Sequence, residues 1–146
     1  MKNESLTDEQ FWSGIWDLQR HKIRKLRSVY VTNRQLIRLF QRGLATLGSA
    51  GAPPSLIEIG CADSLWLPFL AQNTEIEAYG IDYSEIGCQL AKRNLAIKGV
   101  KATVICQDFF DFDRLNPPDF AQSHPTAFDF AYSMGVIEHF TNPTAI

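Results

Sequence analysis

The stretch Ser55–Ala71, "SLIEIGCADSLWLPFLA", opens like a β-strand and closes like a helix. Ser55–Gly60 reads as the strand. Leu65–Gln72 reads as the helix, with Pro68 confined to its first turn, where its missing N–H costs nothing. Between them stand one glycine and then Cys-Ala-Asp-Ser. Nucleotide-binding folds place several glycines at such a turn, so the loss of the others limits what can bind there.

Downstream, the pattern keeps alternating. Ile76–Asp82 is expected to be a second strand. Ser84 can cap a helix that ends at Gly99, with Lys98 in its last turn. Ala102–Gln107 is a third strand, Asn116–Ala127 a loop with two adjacent prolines, and Phe128–Ser133 a fourth strand. Strand–helix–strand alternation implies an α/β fold: a parallel sheet with helices on both faces and right-handed crossovers. Ligands of such sheets bind at the carboxyl ends of the strands. That rule selects Gly60–Ser64, Asp82–Tyr83, Asp108–Phe109 and Ser133–His139.

Upstream, residues 1–50 read as a helical cap on a domain formed by residues 51–146. "TDEQFWSGIWDL" carries a capping-box pattern, Thr7 with Gln10, before Phe11, Ile15 and Leu18 at helical spacing. Trp12, Trp16 and Ile23 recur in the same way. A second helix is expected from about Asn33 to Leu47, striped by Leu36, Phe40, Leu44 and Leu47 and stopped by Gly48. Residues 1–50 carry nine Lys/Arg against four Asp/Glu, and the remainder five against twelve, for a net charge of −2. The basic residues lie along helical segments with few aromatics among them, which reads as a solvated face rather than a nucleic-acid surface.

The 146 residues suffice for one domain with a real core. No apolar run is long enough to span a bilayer, and "MKNESLTDEQ" is not a secretory signal. Cys61, Cys88 and Cys106 form no C-x-x-C pair and read as free thiols in a reducing cytoplasm. The three histidines lack ligand spacing with the cysteines, so no metal site is expected.

Each strand end offers a group suited to one part of a nucleoside. Gly60 lets a ligand pass close to the backbone before a helix start. Asp82 follows Gly60 at the spacing from which a carboxylate reaches ribose hydroxyls. Tyr83 can lie against a purine face. Asp108 can accept from an exocyclic amine, with Phe109 as an apolar wall. Each also has a plain structural reading: Asp82 could cap the following helix, and Asp108 could be a turn residue.

Taken together, "LIEIGCADS", "AYGIDYSEIGCQLAKRNL", "VICQDFF" and "FDFAYSMGVIEHF" resemble the class I S-adenosylmethionine-dependent methyltransferases, over roughly Ser55–Phe140. The "GVIEHF" ending is similar to small-molecule members. The resemblance implies a Rossmann-like sheet of order 3-2-1-4 and S-adenosylmethionine as cofactor. It places Glu58 and Gly60, within the turn that includes Cys61 and Ala62, on the methionine side. Asp82 would hold the ribose, Tyr83 the adenine, and Asp108 and Phe109 the amine and ring. Ser133, Met134 and Gly135 would lie near the methionine moiety. His139 is the candidate base for an acceptor hydroxyl or ammonium, with pocket lining as its plainer role. The Trp12/Trp16 pair reads as helix packing or as an aromatic lid.

Two departures from the family pattern matter. Ala62 and Ser64 stand where further glycines are usual, so either the turn is not left-handed or it is strained by about 1 kcal/mol. A sulfonium ligand brings no pyrophosphate, which lowers the demand for glycine. The chain also stops soon after the fourth strand of a fold that normally has seven, so the cofactor-binding half is expected without the rest. The fourth strand would then be an open edge, prone to self-association. The acceptor stays unknown. The competing readings are a nicotinamide-dependent oxidoreductase with a degenerate turn, and a non-catalytic cofactor-binding fragment.

Overall fold

The structure is a computed structural model of the 146-residue chain. It describes residues 7–16, 22, 25–47, 52–111 and 127–141. Four strands form one parallel sheet: β1 (Ser55–Ile59), β2 (Glu77–Asp82), β3 (Thr103–Cys106) and β4 (Phe130–Ser133), in the order β3-β2-β1-β4. That is the expected order. Helix α3 (Trp66–Asn73) links β1 to β2, and α4 (Glu85–Lys98) links β2 to β3. Upstream lie α1 (Glu9–Ile15) and α2 (Val31–Ala45).

The two β-α-β units step in the same direction across the sheet, so right-handed crossovers put α3 and α4 on one face. Leu56 and Ala78 from that face pack with Trp66, Leu67 and Leu70 of α3 and Ala91 and Leu95 of α4. Phe40 of α2 joins them, with Leu36 and Leu44 alongside. The connection from β3 to β4 reverses direction past β1 and must cross the other face. Its described ends behave so: Phe109 and Phe128 pack on Ile57, Tyr79, Ile81 and Ile105. Among the described residues, no helix longer than a 3₁₀ turn joins that second cluster.

Local chemistry sets the element ends. Ser84 caps α4, its hydroxyl accepting from Gly87 N at 3.2 Å, and Gly99 closes that helix at φ +63°. Pro68 is the third residue of α3, inside the first turn. The capping box does not form. Asp8, not Thr7, caps α1 by accepting from Phe11 N at 2.8 Å. Thr7 Oγ1 instead accepts from Trp12 Nε1 at 3.0 Å, and the indole outcompetes the backbone for that hydroxyl. Leu18, Ile23 and Gly48 lie outside the described residues, as does the Asn116–Ala127 loop up to its last residue.

β4 begins two residues later than the sequence pattern suggests because Asp129 turns toward β1. Its Oδ2 accepts from both Ser55 N (2.8 Å) and Ser55 Oγ (2.9 Å), and Asp129 N donates back to Ser55 O. This clamp fixes Leu56 opposite Phe130 and Glu58 opposite Tyr132. β4 has no strand on its far side, so the open edge is present among the described residues.

Gly80 in the middle of β2 is where α3 comes closest to the sheet. A Cβ there would lie 2.7 Å from Cys61 Cβ and Sγ and 2.8 Å from Leu67 Cδ2. All are buried, so none can swing aside. Gly80→Ala should therefore overpack the core and cost about 1–3 kcal/mol. Urea or thermal unfolding beside the wild type checks it; an unchanged midpoint would mean that α3 can shift freely.

Candidate functional site

The carboxyl ends of the strands enclose two cavities that meet at Gly60 and Gly135. Both glycines have positive φ, +77° and +82°. A side chain at Gly60 would collide with Val136 Cγ2, so it is the absence of a Cβ that lets the Val136 side chain pack on the Gly60 backbone where the two cavities adjoin. No described non-glycine residue has positive φ, so the Cys61–Ser64 turn is not left-handed and Ala62 carries no strain of that kind.

The first cavity, with about 560 Å³ of empty space, is mostly apolar. Ile59, Ile81 and Phe109 form its inner wall, and Trp12, Phe110 and Phe140 its rim. Asp82, Tyr83, Asp108 and His139 bring polar groups to it, as the sequence leads one to expect. Asp108 sits at the start of the 3₁₀ turn Phe109–Asp111, where its Oδ1 accepts from Phe110 N at 2.9 Å. Its turn role and its place at the cavity thus coexist.

Asp82 is more deeply engaged than a ribose ligand would need to be. It is buried, its Oδ2 accepts from Ala62 N (3.1 Å), and its Oδ1 accepts from Ser84 N (3.0 Å). Burial raises its pKa, and those two amides pull it back. One carboxylate therefore ties the β1 turn to the residue that caps α4. Gly87 permits the close approach: a Cβ there would lie 2.9 Å from Asp82 Oδ1 and 2.7 Å from the Trp16 ring.

The second, acidic cavity, with about 660 Å³ of empty space including its mouth, is lined by Glu58, Asp63, Ser64, Trp16, Trp66 and Met134, among others. Glu58 is 1% exposed at its floor. Burial pushes its carboxyl up to about 7, against the pull of the Ser64 and Tyr132 hydroxyls and the Leu67 amide; Asp82 adds to the rise. Even so, Glu58 Oε2 is buried without a hydrogen-bond partner, and so is the Tyr132 hydroxyl. Ser64 Oγ accepts from Trp66 N and Leu67 N at 3.0 Å to start α3, which leaves its O–H to donate toward Glu58.

Three of the expected residues, Cys61, Ala62 and Ser133, are not among the lining of either cavity. Cys61 and Ala62 are each 1% exposed and pack inward, and the Cys61 thiol is raised by burial and then by Asp82 and Glu58, so it is inert. His139 lies in the 3₁₀ turn Ile137–His139, with its ring edge-on to Trp12 at 4.8 Å between centroids. Trp12 in turn stacks on Trp16. That aromatic row closes the site from the α1 side, a wall that helical periodicity alone does not assign to a cavity. Among the described residues, no three His, Cys, Asp or Glu side chains are grouped to hold a metal. No helix among them is long and apolar enough to cross a membrane.

Sheet order and the switch point between β1 and β4 define a Rossmann-like fold. Residues 30–146 match the family described as Methyltransferase domain, and the chain belongs to that family. No curated protein matches it. Among solved structures it is similar to a SAM-dependent methyltransferase from Thiobacillus denitrificans in complex with S-adenosyl-L-homocysteine, at 23% identity, covering 65% of this chain and 36% of that one, with a TM-score of 0.42. It is also similar to PKMT2 from Rickettsia typhi in complex with AdoHcy (18% identity, 67% and 19% covered, TM-score 0.47). A third is the plantazolicin methyltransferase BpumL in complex with SAH (21%, 79% and 46%, 0.48). The chain spans between 19% and 46% of the length of these three.

The Glu58 carboxyl gives a pH signature. In the unfolded chain it ionises near 4.5, in the folded protein near 7. The folded state holds the proton longer, so this contribution is fully present below about 4.5 and is lost as pH rises to about 7. The loss is on the order of 3 kcal/mol at most. Glu58→Gln should remove that slope, so the variant gains on the wild type as pH climbs through the window. Urea unfolding of both proteins between pH 4.5 and 8 checks this; parallel curves would mean that Glu58 does not titrate there.

Proposed function

We propose that the protein binds S-adenosylmethionine across the two cavities and transfers its methyl group to a small molecule by in-line displacement. The observation that carries this reading is the joined pair of cavities. One is apolar, aromatic-rimmed and edged by Asp82 and Asp108; the other is acidic, lined by Glu58 and Asp63. A base and ribose fit the first, an ammonium fits the second, and Gly60 and Gly135, which line both, suit the thin link between them. When bound, the cofactor supplies an electrophilic methyl on a sulfonium.

The chain's own residues then align and exclude. Ile59, Ile81 and Phe109 offer an apolar slot for a ring. Asp108 accepts from its amine, with Phe110 N holding the carboxylate in place. Asp82 keeps the lone pairs that its two amide partners leave free for ribose hydroxyls. Alignment of nucleophile and methyl is the main lever, available for about 7–11 kcal/mol in favourable cases. Trp12, Phe110 and Phe140 enclose the rim, which favours a small acceptor over a macromolecule. His139 is read as part of that wall, and as a base where the acceptor carries a hydroxyl or ammonium. The basic residues Arg34, Arg38 and Arg42 are exposed on α2 and are read as a solvated face. The three free cysteines suit a cytoplasmic setting.

Calorimetry with S-adenosylhomocysteine and with NAD tests the reading directly: the first should bind and the second should not. Binding of NAD alone would reverse it. Asp108→Asn then tests the orientation. Asparagine can still accept from Phe110 N, and its amide can donate to the carbonyl of the inosine analogue, which a carboxylate cannot. The wild type should prefer the adenine form roughly tenfold or more, and the variant should narrow that gap. Equal discrimination in the two proteins would remove Asp108 from the adenine.

The open β4 edge generates a separate expectation. Phe130 and Tyr132 face the core, and among the described residues nothing pairs with the outer backbone of the strand. The chain should self-associate through this edge, and Ala131→Lys at an exposed position of the strand should shift it toward the monomer. Sedimentation of both proteins decides it; a wild type that stays monomeric would sink the idea.

A further inference from the structure

Glu58 and Tyr132 are buried polar residues that face each other across β1 and β4. The strand register places them directly opposite, on the same face of the sheet. Glu58 Oε2 and Tyr132 Oη are each out of contact with water, and neither has a hydrogen-bond partner. Two such orphans side by side are costly unless they serve each other or a third group. The tyrosine ring is not free to leave. Phe40 holds it edge to face at 4.9 Å, and the Asp129–Ser55 clamp fixes the strand beneath it.

We propose that Tyr132 is a positioning residue, whose hydroxyl turns the Glu58 carboxyl toward the acidic cavity and steadies it there for the cationic end of the bound ligand. This rests on the function proposed above in one respect only, the nature of the ligand. The chemistry of the pair is one-directional. Tyr132 is pushed far above its ordinary range, by burial first and then by Glu58, so it stays protonated and acts as a donor. Glu58 is the partner that changes state, and the tyrosine hydroxyl favours its ionised form. The other ionisable groups facing Glu58 are Asp82 from β2, Cys61 in the turn, and Asp63 on the cavity wall. None is a cation. The hydroxyls of Tyr132 and Ser64 and the Leu67 amide therefore carry the work of holding a carboxylate in that place, and of the three only the Tyr132 hydroxyl comes from β4.

Tyr132→Phe removes one oxygen and leaves the ring packing on Phe40. In the free protein, the fall in stability assigned to Glu58 should move upward by about one pH unit. With Glu58→Gln already in place, the same tyrosine change should move nothing. S-adenosylhomocysteine affinity should fall about fivefold or more at pH 7 and recover in large part at pH 8.5, where Glu58 is ionised in both proteins. A merely structural role for Tyr132 would lower stability and affinity equally at all pH values, and that result overturns the proposal. So does an unmoved stability profile. If the profile moves as stated but the wild type binds no S-adenosylhomocysteine, the pairing stands and the cofactor assignment fails. Should the phenylalanine variant not fold, the Tyr132 ring resonances of the wild type decide. They should shift as Glu58 ionises between pH 4.5 and 8 and stay still over that range in Glu58→Gln, and wild-type resonances that ignore pH there count against the pairing.

Discussion

The buried carboxylate of Asp82 is the constraint on which the rest of the site depends. It accepts one amide from the turn after β1 and one from the start of α4. Charge-assisted bonds of this kind are short, directional and expensive to leave unmade. Once Asp82 is placed, the Cys61–Ser64 turn cannot drift from β2. Ile81 O adds to this by accepting from both Gly60 N (2.8 Å) and Cys61 N (3.2 Å). The strand ends are thereby held as one rigid floor, and both cavities open above it.

That arrangement explains how a turn with one glycine can work. Extra glycines serve a backbone that must go left-handed or come close to phosphate. Here the left-handed step is taken at Gly60 alone, and the Ala62 amide is turned inward to Asp82. With that amide used by the protein itself, the turn presents no cradle for a pyrophosphate. The same geometry puts acid, not base, around the second cavity. Glu58 and Asp63 line it, with Asp82 near enough to raise the Glu58 pKa.

What the sequence made legible was local. Ser84, Gly99 and Pro68 announce helix ends through the chemistry of single residues, and the structure uses each as read. Strand order followed from crossover handedness and the family resemblance. Where the reading slipped, two residues were nearly equivalent. Thr7 and Asp8 are both good caps, and only the position of the Trp12 indole, set by packing, decides between them. The Glu58–Tyr132 pair was not legible at all. Glu58 sat in an apolar strand pattern, and its partner comes from a strand whose register is fixed by a clamp 74 residues away in sequence. Asp82 was read correctly in place but incompletely in role, because backbone amides leave no mark in a sequence.

The distance spanned by that clamp also orders events in time. β1, α3, β2, α4 and β3 pair with sequence neighbours, so each contact closes a short loop. β4 must instead close one of 74 residues before Asp129 meets Ser55. Non-local pairings of this kind come late, because chain entropy is lost before the contact rewards it. Gly135, Val136 and His139, which follow β4, complete the apolar cavity. That cavity is therefore whole only with β4 docked on β1, so ligand binding reports the arrival of β4 rather than the pairing of β1, β2 and β3.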